Sequence, residues 1–135
     1  MTAVFADTFY FLALVNTRDS AHERAAVFSG TREDAIVTTA WVLTELADAL
    51  CDSSHRRAFQ RVFDGLKADS GTLIVPPSRS LFERGIELYN ARHDKDWSLT
   101  DCISFVVMQE HGIKEALTGD RHFEQAQAGF RTLLA

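Results

Sequence analysis

The chain has 135 residues, 46% hydrophobic and 24% charged, the size and balance of one globular domain that buries more than half of its unfolded surface. No apolar run approaches the roughly 18 residues needed to cross a bilayer. Met1 to Asp7 also lacks a basic segment followed by a cleavable apolar stretch, so a cytoplasmic protein without membrane association is expected. A net charge of −5 and a pI near 5.4 exclude affinity for nucleic acid through a generally basic surface.

In chain order, Ala3 to Ala6 reads as a short strand, followed by Asp7 and a helix from Thr8 to Val15. A helix from Ser20 to Ser29 leads to a strand at Ala35 to Thr38, then to helices at Ala40 to Cys51 and Ser54 to Ala68. In the first of that pair Val42, Leu46, Ala49 and Leu50 form the expected inward stripe, with Glu45 on or beside it and Asp48 better solvated. Thr72 to Val75 is a third strand, ended by Pro76 and Pro77, and Ser78 to Arg92 is helical. The polar stretch from His93 to Trp97 is the expected mobile loop. Leu99 to His111, apolar on nearly every side from Cys102 on, is expected as a buried helix stopped by Gly112. Glu115 to Thr118 and Phe130 to Leu133 complete five candidate strands, with Gly119 permitting a sharp turn before Asp120. Strands alternating with helices predict an α/β fold, a mainly parallel sheet with helices on both faces. Cys51 and Cys102 fit no metal or disulfide pattern and read as small core residues.

Four acids stand in informative places. Asp7 and Asp120 each follow a strand, at the sheet edge where open α/β folds bind ligands. Glu45 lies by an apolar stripe, where a carboxylate is costly without a cation or hydrogen-bond donors. Asp101 opens the buried helix. Each has a structural alternative: Asp7 and Asp120 as helix caps, Asp101 as the partner of Ser98 in a capping box, Glu45 as the partner of Arg56 or Arg84. Taken together they suit a hard cation, Mg²⁺ or Mn²⁺, because crowded carboxylates must protonate or share one, and an all-oxygen set disfavours zinc.

In order and context, Asp7-Thr8, Thr44-Glu45-Leu46, Leu99-Thr100-Asp101-Cys102-Ile103-Ser104-Phe105 and Leu117-Thr118-Gly119-Asp120-Arg121-His122-Phe123 resemble the PIN-domain family, especially the VapC-type toxins of toxin–antitoxin pairs. The resemblance runs from Asp7 to about Phe130. It implies a three-layer α/β/α fold with a five-stranded sheet, and a metal-dependent endoribonuclease cutting single-stranded or structured RNA. It further implies a cognate antitoxin as partner and a homodimer. By matching motif positions, Asp7, Glu45, Asp101 and Asp120 take the catalytic and metal-binding roles, Asp7 and Asp101 foremost, while Thr8 and Thr118 orient them and Asp96 stands in reserve. RNA must then be drawn in by cations around the cleft, for which Arg79, Arg92, Lys95 and Arg121 are the candidates.

Other function classes fare worse. A catalytically silent RNA- or protein-binding module would not need all four acids, and a metal-dependent phosphatase usually carries an acid pair after the first strand, where this chain has Asp7-Thr8-Phe9. Phosphate-cradling and dinucleotide fingerprints are absent, and the five histidines show no metal-binding spacing, which predicts surface or capping roles for them. The aromatics Phe9, Tyr10, Phe11, Phe59, Phe63, Phe82 and Phe105 fall at helical spacing and are expected mostly in the core.

Overall fold

Val4, Phe5 and Ala6 are successive residues of one strand, and all three are buried. Because neighbouring strand residues point to opposite faces, both faces of the sheet at this strand must be covered, which is the three-layer α/β/α arrangement. The structure, a computed structural model, describes residues 2–126 and 130–134. Its strands are β1 (Ala3–Ala6), β2 (Ala35–Thr39), β3 (Thr72–Val75), β4 (Glu115–Leu117) and β5 (Arg131–Thr132). They form one sheet in the order β3-β2-β1-β4-β5, every pairing parallel.

Between the strands run α1 (Thr8–Val15), α2 (His22–Thr31), α3 (Ala40–Ala49), α4 (Arg56–Ala68), α5 (Arg79–Ala91), α6 (Leu99–Glu110) and α7 (His122–Ala126). α6 is the most buried, with every residue from Cys102 to Met108 in the buried interior. Its end is a Schellman turn: Ile113 N–H donates to Met108 O at 2.8 Å and Gly112 N–H to Gln109 O at 3.3 Å, with Gly112 at φ 65°. The buried Ile113 side chain seals that turn. α5 lies so close to α6 that a Cβ on Gly85 would come within 2.3 Å of Ile103 Cγ1.

Several expectations need correction. The last strand is shorter than Phe130 to Leu133, and β4 ends at Leu117, one residue before Thr118. No helix was predicted over His122–Ala126, although the helix-cap alternative for Asp120 implied one after it. The inward face of α3 is Val42, Leu43 and Leu46, followed by Leu50, whereas Ala49 is exposed. Cys51 is exposed and only Cys102 is a core residue. The loop expected to be mobile is pinned at Trp97, which is buried and meets Phe105 edge-on at 5.1 Å. Phe82 is exposed, while Tyr10, Phe11 and Phe105 are core as expected.

Candidate active site

In the order β3-β2-β1-β4-β5 the chain builds outward from β1 in one direction and then crosses to the other side, so the reversal lies between β1 and β4. Crevices form at the carboxyl ends of strands flanking such a reversal, where the connections leave in opposite directions. Asp7 directly follows β1, and Thr118-Gly119-Asp120 directly follows β4. α3 delivers Glu45 and the first turn of α6 delivers Asp101. All four line one cleft of about 360 Å³ with Thr8, Phe9 and the exposed Asp96.

Asp7 sits at the N-cap position of α1 with extended backbone, yet its side chain makes no capping bond. It accepts instead from the Thr118 hydroxyl at 2.9 Å. Burial pushes its pKa from 3.8 up to about 7 against that hydrogen bond, and repulsion from Asp101 and Glu45 adds to the rise. Thr118 is fully buried and uses both sides of its hydroxyl, since it also accepts from the Asp120 amide at 3.0 Å. The hydroxyl therefore ties the ends of β1 and β4 together in one orientation. Thr8, also buried, donates to Glu45 Oε1 at 2.5 Å, so Glu45 pairs with neither expected arginine. Arg56 donates to Cys51 O, and Arg84 pairs with Glu110.

Asp101 performs two tasks. The capping box with Ser98 is present: Asp101 N–H donates to Ser98 Oγ at 3.0 Å, and Ser98 N–H donates to Asp101 Oδ2 at 3.2 Å. The carboxylate bond uses Oδ2 and leaves Oδ1 without a hydrogen bond among the described residues. Burial raises its pKa, Asp120 adds to the rise, and the Ser98 amide and His122 oppose it. Asp120 accepts from the His122 amide at 2.9 Å through Oδ1, a turn that opens α7.

His122 is the residue that spacing did not reveal. Its Nδ1 lies 3.3 Å from Asp101 Oδ2 and 3.4 Å from Asp120 Oδ1, and the three side chains offer ligand atoms within 4.8 Å of one another. Its position two residues after Asp120 was the available signal, because a turn at a strand end brings i and i+2 to the same edge. Asp7 and Glu45 share the cleft but stand outside that tight trio. Gly119 is required for close approach rather than for a positive φ: a Cβ there would meet Phe9 Cζ at 2.6 Å. The donor set, with two carboxyls whose burial and mutual repulsion disfavour ionisation, fits a hard divalent cation, and the expected oxygen ligands gain one imidazole nitrogen.

The cations divide. Arg79 is exposed, pairs with Glu83 at 2.7 Å and lines neither the acid cleft nor the cavity beside it. Arg92 and Lys95 line that adjoining cavity. Arg121 is exposed in the turn before α7.

The PIN domain family model matches residues 4–129. The chain belongs to the PIN domain family. Among curated proteins, this PIN domain is 28% identical over 127 residues to the "23S rRNA-specific endonuclease VapC20" of Mycobacterium tuberculosis, in two strains, covering 91% of this chain and 93% of the relative. Among solved structures, it superposes on Mycobacterium tuberculosis VapC20, described as a sarcin-ricin loop cleaving toxin, with a TM-score of 0.81 and 24% identity, covering 91% of this chain and 94% of that one. The fold is thus common to both, and Asp7 and Asp120 of this PIN domain lie at the carboxyl ends of β1 and β4. No helix among the described residues is long and apolar enough to cross a membrane.

Proposed function

We propose that residues 1–135 form one nuclease domain, the ribonuclease toxin of a toxin–antitoxin pair, which hydrolyses RNA with Mg²⁺ or Mn²⁺. One observation carries this reading: four acids from four separate elements meet in one cleft at the strand-order reversal, two of them with raised pKa values and no lysine or arginine among the cleft residues. The 23S rRNA specificity of the relative supports ribosomal RNA as the substrate class.

In this reading Asp7 and Asp101 would hold the cation, while Asp120, His122 and Glu45 would complete the site or orient the attacking water. Thr118 and Thr8 fix the rotamers of Asp7 and Glu45 before substrate arrives, so the acids need no rearrangement during turnover. Asp7 would hold the cation as a carboxylate, in the orientation that the Thr118 hydroxyl already gives it. A bound divalent ion supplies acidification of water and neutralisation of charge on the phosphate and leaving oxygen. The water oxygen would form the new bond to phosphorus as its proton passes to a cleft carboxylate, while the bond to the leaving ribose oxygen breaks and that oxygen takes a proton from solvent. Asp96, at the rim, faces incoming RNA. A cognate antitoxin, a homodimeric assembly and a cytoplasmic setting accompany this reading.

The test is incubation of the purified protein with intact bacterial ribosomes and Mg²⁺, with cut sites mapped by primer extension. A single cut in the large-subunit RNA is expected, together with growth arrest on expression that Asp7→Asn abolishes. Uncut ribosomal RNA beside efficient cleavage of other cellular RNA would overturn the substrate assignment.

A further inference from the structure

A second cavity, of about 830 Å³, opens beside the acid cleft, and the two share Asp96 and Ser98 as a common wall. A strand whose phosphate lies on the acids therefore runs directly into it. The lining differs in kind from the cleft, since Asp96 is the one acid in it. Tyr89, near the end of α5, is 50% exposed there. The Arg92 guanidinium stands 5.0 Å from the centre of the buried Trp97 ring, and its Nε and Nη2 donate to the two carboxylate oxygens of Asp94 at 2.9 and 3.0 Å. Arg92 is thus held on two sides and offers an oriented plane with its charge already balanced. Lys95 is freer, its Nζ 3.9 Å from Asp94 Oδ2, beyond hydrogen-bond distance.

An exposed tyrosine ring, a fixed guanidinium plane, the Asn90 amide and a loosely paired ammonium are the groups that receive a nucleobase by stacking and edge hydrogen bonds and its phosphate by charge. The volume falls in the roughly 300–1,000 Å³ range of small-ligand sites. We infer that this cavity is a subsite for one unpaired nucleotide adjoining the scissile phosphate; the assignment rests on the nuclease reading above. A base held inside a duplex presents no free face to Tyr89, so the subsite selects single-stranded or looped RNA.

The test reads binding separately from turnover. A fluorescein-labelled single-stranded RNA 12-mer of mixed sequence is titrated by anisotropy in Ca²⁺, and its cleavage is followed in Mg²⁺. Tyr89→Ala is expected to weaken binding about 5- to 150-fold, with Tyr89→Phe retaining wild-type affinity. Lys95→Ala should weaken binding and flatten its salt dependence by about 0.7 in log–log slope, whereas Arg79→Ala, outside both cavities, should do neither. Wild-type affinity in a folded Tyr89→Ala protein overturns the subsite. So does a Tyr89→Ala protein that changes only its oligomeric state, which would make Tyr89 a contact between copies. Absence of cleavage of the 12-mer and of ribosomal RNA alike, beside Tyr89-dependent binding, overturns the nuclease reading and leaves the cavity as a site for unpaired RNA without a scissile phosphate beside it.

Discussion

Asp7 is held where its charge is expensive. Its unfolded pKa is 3.8 and burial takes the folded value to about 7, so the folded state binds the proton more tightly. In metal-free protein this group therefore erodes stability as pH rises from about 4 to 7, reaching on the order of 4 kcal/mol above pH 7. Asp7→Asn is accordingly expected to melt higher than wild type in EDTA at pH 8, with the gap narrowing by pH 5, and to lose the rise in melting temperature that Mg²⁺ gives wild type. A thermal melt series in pH and metal checks both. Thr118→Val keeps the shape and removes the hydroxyl that joins Asp7 to the Asp120 amide. It should lower metal affinity or activity about 10- to 100-fold, measured by metal titration of cleavage rate. Asp7 was legible in the sequence because a strand-end Asp is positioned by the strand itself. His122 was not, because its role depends on how a two-residue turn folds back towards α6.

The contact of α5 with α6 places α6, and with it Asp101, through Gly85 against Ile103. A methyl group at Gly85 would overlap the core side chain of Ile103, so Gly85→Ala should destabilise by about 1–3 kcal/mol or more, seen as a lower urea midpoint at unchanged slope. Long elements with strong patterns were readable: α6 from its continuous apolar run and Gly112 stop, and β1 to β3 from their short β-rich runs. The misreadings cluster where tertiary contact outweighs pattern. α7, described over His122–Ala126, follows a turn set by Asp120. Ala49 faces solvent because α3 has reached its final turn, and Cys51 lies beyond it. Arg79 was grouped with the cleft cations by charge alone; it stands at the start of α5, whereas Arg92 and Lys95 follow that helix's end, and only the fold shows which end borders the cleft.

Across the whole molecule, a net charge of −5 must coexist with a polyanionic substrate in the proposed reading. Attraction is then local, through the metal and the few cations bordering the cleft. If Lys95 and Arg121 carry the phosphate contacts, the log–log salt slope for single-stranded RNA should be about −1.4, and a slope steeper than about −4 would indicate a broad basic footprint. The fold's parallel order was legible from strand and helix alternation, whereas the placement of the reversal between β1 and β4 required the structure. That reversal is what brings four acids, each with a bland local explanation, into one cleft. The most direct measurement is cleavage of labelled cellular RNA by antitoxin-free protein in Mg²⁺, Mn²⁺ or EDTA, beside Asp7→Asn and Asp101→Asn. Discrete fragments that vanish in EDTA and in both variants are predicted. Fragments that persist in EDTA, or in both folded variants, would contradict a metal-dependent centre built on these acids.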